Sequence, residues 1–243
     1  ANKTPNIREG ITISASILLL FIVASLYQSL LSGKNVNVFW WDIMPNLSIS
    51  FSIEPLGMLF ALIASFLWLI TTFYAIGYMR SHQEENQTRF YSCFALAISA
   101  VMGIAFSDNL FTLFVFYEVL TLSTYPLVTH AGTEKAKQGG RVYLGILLST
   151  SIAFFLLAIA GTWFITGTLD FKQGGIFNAD VDKAIAGALL VLFIFGIGKA
   201  AIMPFHRWLP AAMVAPTPVS ALLHAVAVVK AGVFTILKVC VFI

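Results

Sequence analysis

Three ionisable side chains fall inside long apolar stretches. Glu118 lies between Asn109 and Thr129, Lys199 in the second half of Ala184–Met203, and Lys230 near the middle of Pro216–Ile243. Taking such a charge to the centre of a bilayer costs about 2.5–3.5 kcal/mol on insertion scales, and more when it is isolated. Side chains of this kind persist by facing a bundle interior or a hydrated path and by pairing. One acid and two bases at comparable depth point to a paired, partly hydrated polar axis. The matching chemistry is proton handling. Burial disfavours a lysine's ammonium, a nearby carboxylate favours it, and a partner that moves can load and unload it. The alternative is structural: a Glu–Lys pair that only pins two helices, with Lys199 snorkelling to its helix end. His224, in the same stretch as Lys230, is the one histidine expected at membrane depth, since His82, His130 and His206 fall in loops. It reads equally as a packing residue or a proton carrier. Lys238 lies too near the end of the sequence for its depth to be read.

The elements that must position these residues are membrane-crossing helices. The 243 residues are 59% hydrophobic and 10% charged, against about 25% charged in soluble domains. The apolar residues gather into runs near the roughly 20 residues that a helix needs to cross a bilayer. Seven spans follow: Ile11–Leu31, Ile53–Met79, Phe90–Phe106, Asn109–Thr129, Val142–Gly167, Ala184–Met203 and Pro216–Ile243. Backbone groups in hydrocarbon must pair internally, and the short alternating segments of a lipid-facing barrel are missing, so the predicted fold is all-α, a single transmembrane domain over residues 1–243. A sequence that starts at Ala1 and is still apolar at Ile243 reads as a fragment of a longer protein.

One loop alternates. Val36, Val38 and Trp40, then Leu47, Ile49, Phe51 and Ile53, interleave with other residues around Asp42, Pro45 and Asn46. This predicts either a small surface β-hairpin or an irregular interfacial loop anchored by Trp40 and Trp41. Orientation follows from the basic residues. Lys3, Arg8, Arg80, Arg89, Lys135, Lys137, Arg141 and Arg207 fall on the side of the amino terminus, and Lys34, Lys172 and Lys183 on the other. The bias predicts a cytoplasmic amino terminus in a plasma (inner) membrane.

The two cysteines, Cys93 and Cys240, are far apart and each lies in an apolar run. They offer no zinc, cluster or disulfide spacing, and one histidine at membrane depth cannot hold a haem between two. No nucleotide-binding loop, Ser/His/Asp set or His-Glu-x-x-His motif is present. No cofactor, metal or nucleic-acid partner is therefore expected. Gly196 and Gly198 beside Lys199, and Gly232 beside Lys230, are expected to allow close helix approach or backbone adjustment next to the charges.

The run Gly198–Pro210 with its continuation Ala215–Ala225 resembles the core of the antiporter-like subunits of respiratory complex I, membrane-bound hydrogenases and Mrp-type multisubunit cation/proton antiporters. Phe116-Tyr117-Glu118 with Leu122–Tyr125 resembles that family's glutamate-bearing helix, and Lys230–Val233 its next lysine site. The likeness covers essentially the whole chain and is strongest to the D-type member of the Mrp complexes. It implies that Glu118 and Lys199 form an ion pair and that Lys230, with His224, continues a relay along the membrane plane. It also implies a longer chain of inverted repeats, of which one is visible, and a broken helix at the family's seventh-span equivalent. Pro216 and Pro218 open the seventh span here, with no proline inside it. Ala211 stands where many members carry aspartate, and Tyr117 where complex I members usually carry tryptophan. The implied activity is movement of protons, alone or in exchange for sodium, by one of several subunits of a hetero-oligomeric complex in the lipid bilayer. A place in an NADH:quinone oxidoreductase or a hydrogenase complex is the alternative, with any redox chemistry in partner subunits. A purely structural subunit is the rival from another class.

Overall fold

The computed structural model describes residues 4–33, 36–44, 47–172, 174–177 and 181–242. Lys3, Lys34, Pro45 and Asn46 lie outside the described residues. Among those described, six helical stretches are long and apolar enough to cross a membrane. They are α1 (Pro5–Leu31), α2 (Pro55–Ser81), α3 (Gln87–Ala105), α4 (Leu110–Val128), a stretch over Glu134–Thr166 and another over Thr217–Phe242. The Glu134–Thr166 stretch consists of α5 (Glu134–Thr150) and α6 (Leu156–Thr166) joined through a π turn at Ser151–Phe155. The Thr217–Phe242 stretch consists of α9 (Thr217–Ala221) and α10 (Val228–Phe242), joined through a π turn at Leu222–Val226.

The sixth predicted span is the correction. Its regular part, α7, covers only Lys183–Gly196, 14 residues, or roughly 21 Å at helical rise, short of a bilayer's hydrocarbon thickness. A 3₁₀ turn at Gly198–Ala200 follows, then Ala201 with φ +55°, a 3₁₀ turn at Phe205–Arg207 and the short α8 (Trp208–Ala212). The interruption therefore falls at Lys199, whereas the seventh span departs from helix only at Ala227 (φ −120°, ψ −75°), directly after its π turn. Two glycines and Pro204 account for the position of the break. Glycine is a poor helix former, and proline brings no N–H and crowds the carbonyl four residues back.

Starts and stops elsewhere follow local chemistry. Pro55 opens α2, where a missing N–H costs nothing. The Asn109 side chain accepts the Thr112 N–H at 2.7 Å to cap α4, and Thr133 does the same for Ala136 at 3.2 Å ahead of α5.

The alternating loop is a hairpin, β1 (Asn37–Met44) antiparallel to β2 (Leu47–Ser52). Bulges between Phe39 and Trp41 and between Asp42 and Met44 shift its register, and Trp40 and Trp41 stay exposed. The hairpin packs onto the α3–α4 turn, with the Asp108 N–H donating to the Ser50 carbonyl at 3.1 Å. The segment after α6 joins the same end through Leu110 N–H to the Leu169 carbonyl and Phe171 N–H to the Asp108 carbonyl. At the opposite end the α2–α3 turn meets the α4–α5 turn, with Glu84 beside His130. The two pairs of loops thus lie at opposite ends of the bundle, here called the hairpin end and the His130 end. Helix α1 is peripheral, burying only Glu9, Ser16 and Val23. Arg80 ties it to α2 by a fork onto the Glu9 carboxylate, its Nε reaching Oε1 at 3.0 Å.

Candidate functional site

The break in the sixth span leaves backbone groups without helical partners in the middle of the bundle, where no water can satisfy them. Aromatic side chains take over. The Lys199 N–H donates to the Tyr117 hydroxyl at 3.1 Å, and Trp208 Nε1–H donates to the Gly198 carbonyl at 2.9 Å. Trp208 packs edge-on to Tyr143, rings 5.5 Å apart, and the Tyr143 hydroxyl bonds Thr124 of α4 at 2.6 Å. Tyr117, Tyr143 and Trp208 are all fully buried. Glycine is required at three places around the break, one of them Gly196, where a Cβ would collide with the Phe155 nitrogen. A Cβ on Gly198 would collide with the Thr150 hydroxyl oxygen, and one on Gly232 of α10 would collide with the Ala200 nitrogen. α5 and α10 therefore close on the interruption from two sides.

Lys199 is 0% exposed. Its ammonium donates to the Tyr117 carbonyl at 2.8 Å and to the Thr121 hydroxyl at 2.6 Å, and it lies over the Tyr117 ring, 3.2 Å from the centroid. The same carbonyl also accepts the Thr121 hydroxyl at 3.2 Å, so Tyr117, Thr121 and the ammonium form one closed cluster. A buried ammonium held only by neutral acceptors and a ring face is expensive.

Glu118 is the next residue on α4. Both its carboxylate oxygens are buried and without a hydrogen-bond partner. Glu118 and Lys199 are expected to meet directly or through one water; the direct contact is not formed, since among the described residues no salt bridge within 4 Å joins them. The carboxylate acts on Lys199 and on Tyr143 from farther off. The reason is helical geometry. Lys199 enters against the Tyr117–Thr121 face of α4, and consecutive residues on a helix point about 100° apart.

Lys230 is a second correction. It is exposed on the surface of this chain. The buried face of α10 is formed by Val228, Ala231, Gly232, Phe234, Thr235, Lys238 and Val239, a three-to-four spacing from which Lys230 falls on the opposite side. Its equal distance from both span ends fixes its depth and not its direction. His224 sits in the π turn, half-buried, with Nε2 buried and unpartnered. Lys238, whose depth the sequence leaves open, is 0% exposed and pairs with Glu54 at 3.1 Å. Its spacing of seven from Ala231 on the apolar face is the signal for it.

Comparison with known proteins places this architecture. Residues 107–243 match the family described as NADH:quinone oxidoreductase/Mrp antiporter, transmembrane. Residues 40–91 match the family described as NADH-ubiquinone oxidoreductase (complex I), chain 5 amino terminus. The chain belongs to the NADH:quinone oxidoreductase/Mrp antiporter transmembrane family. A curated relative, the A-type member of the Na(+)/H(+) antiporter of Alkalihalophilus pseudofirmus, is 32% identical over 227 residues, which are 91% of this chain and 28% of that protein. A chain of the Mrp complex from Dietzia sp. DQ12-45-1b superposes with a TM-score of 0.78 at 27% identity, covering 96% of this chain and 26% of that one. A chain of an archaeal membrane-bound sulfane sulfur reductase shares the fold, with a TM-score of 0.81 at 24% identity over 94% of this chain and 46% of that one. The chain thus spans about a quarter of the length of the curated relative it matches. That relative is of the A type, so the match establishes the family rather than the likeness to the D type.

Proposed function

We propose that the chain moves protons across the membrane, as part of a multisubunit cation/proton antiporter, with Lys199 as the proton-carrying group and Glu118 as its gate. The observation that carries this reading is the buried Lys199 ammonium inside a helix break, held by neutral acceptors, with an unpaired buried carboxylate on the adjoining residue of α4. Neither ionised group is well solvated where it stands. Transfer of one proton from the ammonium to the carboxylate leaves a neutral amine and a neutral acid and removes both desolvation costs. A rotation or local yielding of α4 that brings Glu118 to Lys199 favours the ionised form. The reverse movement favours the neutral form, in which the acid can pass its proton on. His224, with its free Nε2, is the group on the seventh span suited to carry it further. Lys230 joins the path where further chain, or another subunit, covers its face of α10.

The relatives' names support exchange of sodium for protons and a complex of several membrane subunits. The basic-residue bias supports a cytoplasmic His130 end in the plasma membrane. The test is vesicle transport by the whole complex. Glu118→Gln and Lys199→Ala should each leave the complex assembled and reduce proton movement at least tenfold. Near-normal transport by both variants overturns the reading, and loss of assembly by both supports a structural role instead.

A further inference from the structure

A second buried ion pair lies at the hairpin end. Lys238 on the last turns of α10 is 0% exposed, and its ammonium stands 3.1 Å from Glu54 Oε2 at the start of α2. The same ammonium donates to the Ser107 carbonyl in the α3–α4 turn and lies 4.4 Å from the Phe171 ring centroid. Asp108, which accepts the Ser50 hydroxyl at 3.3 Å, is the other acid acting on it. Asp170 on the neighbouring segment is exposed and bound by the Thr168 hydroxyl at 3.0 Å.

Two features separate this pair from a sealed structural one. The first is graded access. The Glu54 side chain is 19% exposed while that of Lys238 is 0%, so the pair joins the interior to the hairpin-end surface. The second is incomplete satisfaction. Glu54 Oε2 accepts no well-aligned hydrogen bond, and the Ser52 hydroxyl, two residues earlier on extended backbone, is buried without a partner. A carboxylate kept for stability alone is normally saturated with donors.

We infer that Glu54 and Lys238 form the proton-exchange gate at the hairpin end, Glu54 taking up or releasing the transported proton there while Lys238 holds the ionised carboxylate between transfers. This rests on the proton-translocation reading above. In uptake, hydronium from the hairpin-end water gives its proton to the Glu54 carboxylate, leaving water and a neutral acid. The Lys238 ammonium loses its ion partner but keeps the Ser107 carbonyl, the Phe171 ring and the Asp108 charge. When the pair closes again the acid gives its proton to a water on its interior side, leaving hydronium there and the carboxylate paired with Lys238, and release is the reverse. The cargo is a proton rather than a metal cation, because the ammonium already occupies the place a cation would take against this carboxylate. The route inward is α10 itself: Gly232, which touches the break at Lys199, lies six residues before Lys238, roughly 9 Å along the helix, with the buried Thr235 hydroxyl between them.

The test uses the whole complex in vesicles of known orientation, with pH varied at the hairpin end alone. Glu54→Gln should assemble, lower transport at least tenfold and flatten its response to hairpin-end pH, while Lys238→Arg should keep most of both. If Glu54→Gln retains the native rate and pH response while Glu118→Gln abolishes transport, the gate is wrong and the translocation reading stands. If Glu118→Gln is also normal, that reading falls with it. Should Glu54→Gln fail to assemble, the exchanged pair Glu54→Lys with Lys238→Glu decides. Assembly restored with transport still deficient supports the gate, and full recovery of transport and pH response overturns it.

Discussion

The Lys199 ammonium sits 2.6 Å from the Thr121 hydroxyl, one turn along α4 from the Tyr117 carbonyl that it also engages. The charge is thus carried by the wall of α4 at two points, neither of which is the Glu118 carboxylate. A hydrogen bond to a charged group contributes about 1.5–3 kcal/mol. Thr121→Val should therefore slow proton transport in vesicles by about tenfold with assembly unchanged, whereas Thr121→Ser should remain near the native rate. Equal rates for the two variants would show that the hydroxyl does not hold the working charge.

Trp208 closes the break by donating to Gly198, ten residues earlier. Trp208→Phe keeps the ring and removes the donor, leaving the Gly198 carbonyl with only the Ala201 N–H at 3.0 Å, a loss of about 0.5–1.5 kcal/mol. The melting temperature of the detergent-solubilised complex should fall by several degrees, and Trp208→Ala should lower it further by opening a cavity. Scanning calorimetry or dye melting reads both.

Gly232→Ala should disable the complex, because its Cβ would meet the backbone at Ala200 and Lys199, which cannot give way as a flexible side chain would. Gly187→Ala on α7 is the matched comparison. Nothing stands within 4 Å of a Cβ there, and alanine favours a helix interior by about 0.5–1 kcal/mol. Transport and melting measured on the two variants should move in opposite directions from the native values, or stay level for Gly187→Ala.

His130 closes the other end of α4. Burial holds its imidazole below the ordinary value of 6.5, Glu84 pulls the opposite way, and Arg89 adds to the lowering. The 3.7 Å approach of Nε2 to Glu84 is accordingly not an ion pair at neutral pH. The folded state disfavours the charged imidazole and the unfolded chain does not. Its contribution is therefore present above 6.5 and is lost as pH falls through 6.5 toward the lowered native value. Between pH 7.5 and 5.5 the native complex should lose melting temperature, and His130→Gln should lose less. An unchanged slope in the variant would remove His130 from the account.

The helices are legible because runs of apolar residues with polar turns between them leave a bilayer few alternatives, and the hairpin because its residues alternate over β1 and β2. The break at Lys199 is not, although its glycines are visible. Hydropathy scores side chains, and the run from Ala184 to Met203 stays apolar straight through a backbone that stops being a helix at Gly196. Depth can be read from position in a run, and direction cannot. Lys230 and Lys238 share one helix, and only the spacing of their neighbours says that the second faces inward. Glu54 carries no signal of its own, because a carboxylate beside a surface hairpin is ordinary until α10 is laid against it.

Tyr117 supports Lys199 twice, its hydroxyl receiving the lysine's main-chain N–H and its carbonyl receiving the ammonium. Pivot and tip of the side chain are thereby anchored to one residue of one helix. Any rigid sliding of α4 drags the whole lysine along and changes nothing between them. On the proposed proton-transfer reading, switching the proton's address consequently calls for rotation of α4 or local yielding of its turn, so a movement that operates this site has to be a twist rather than a push.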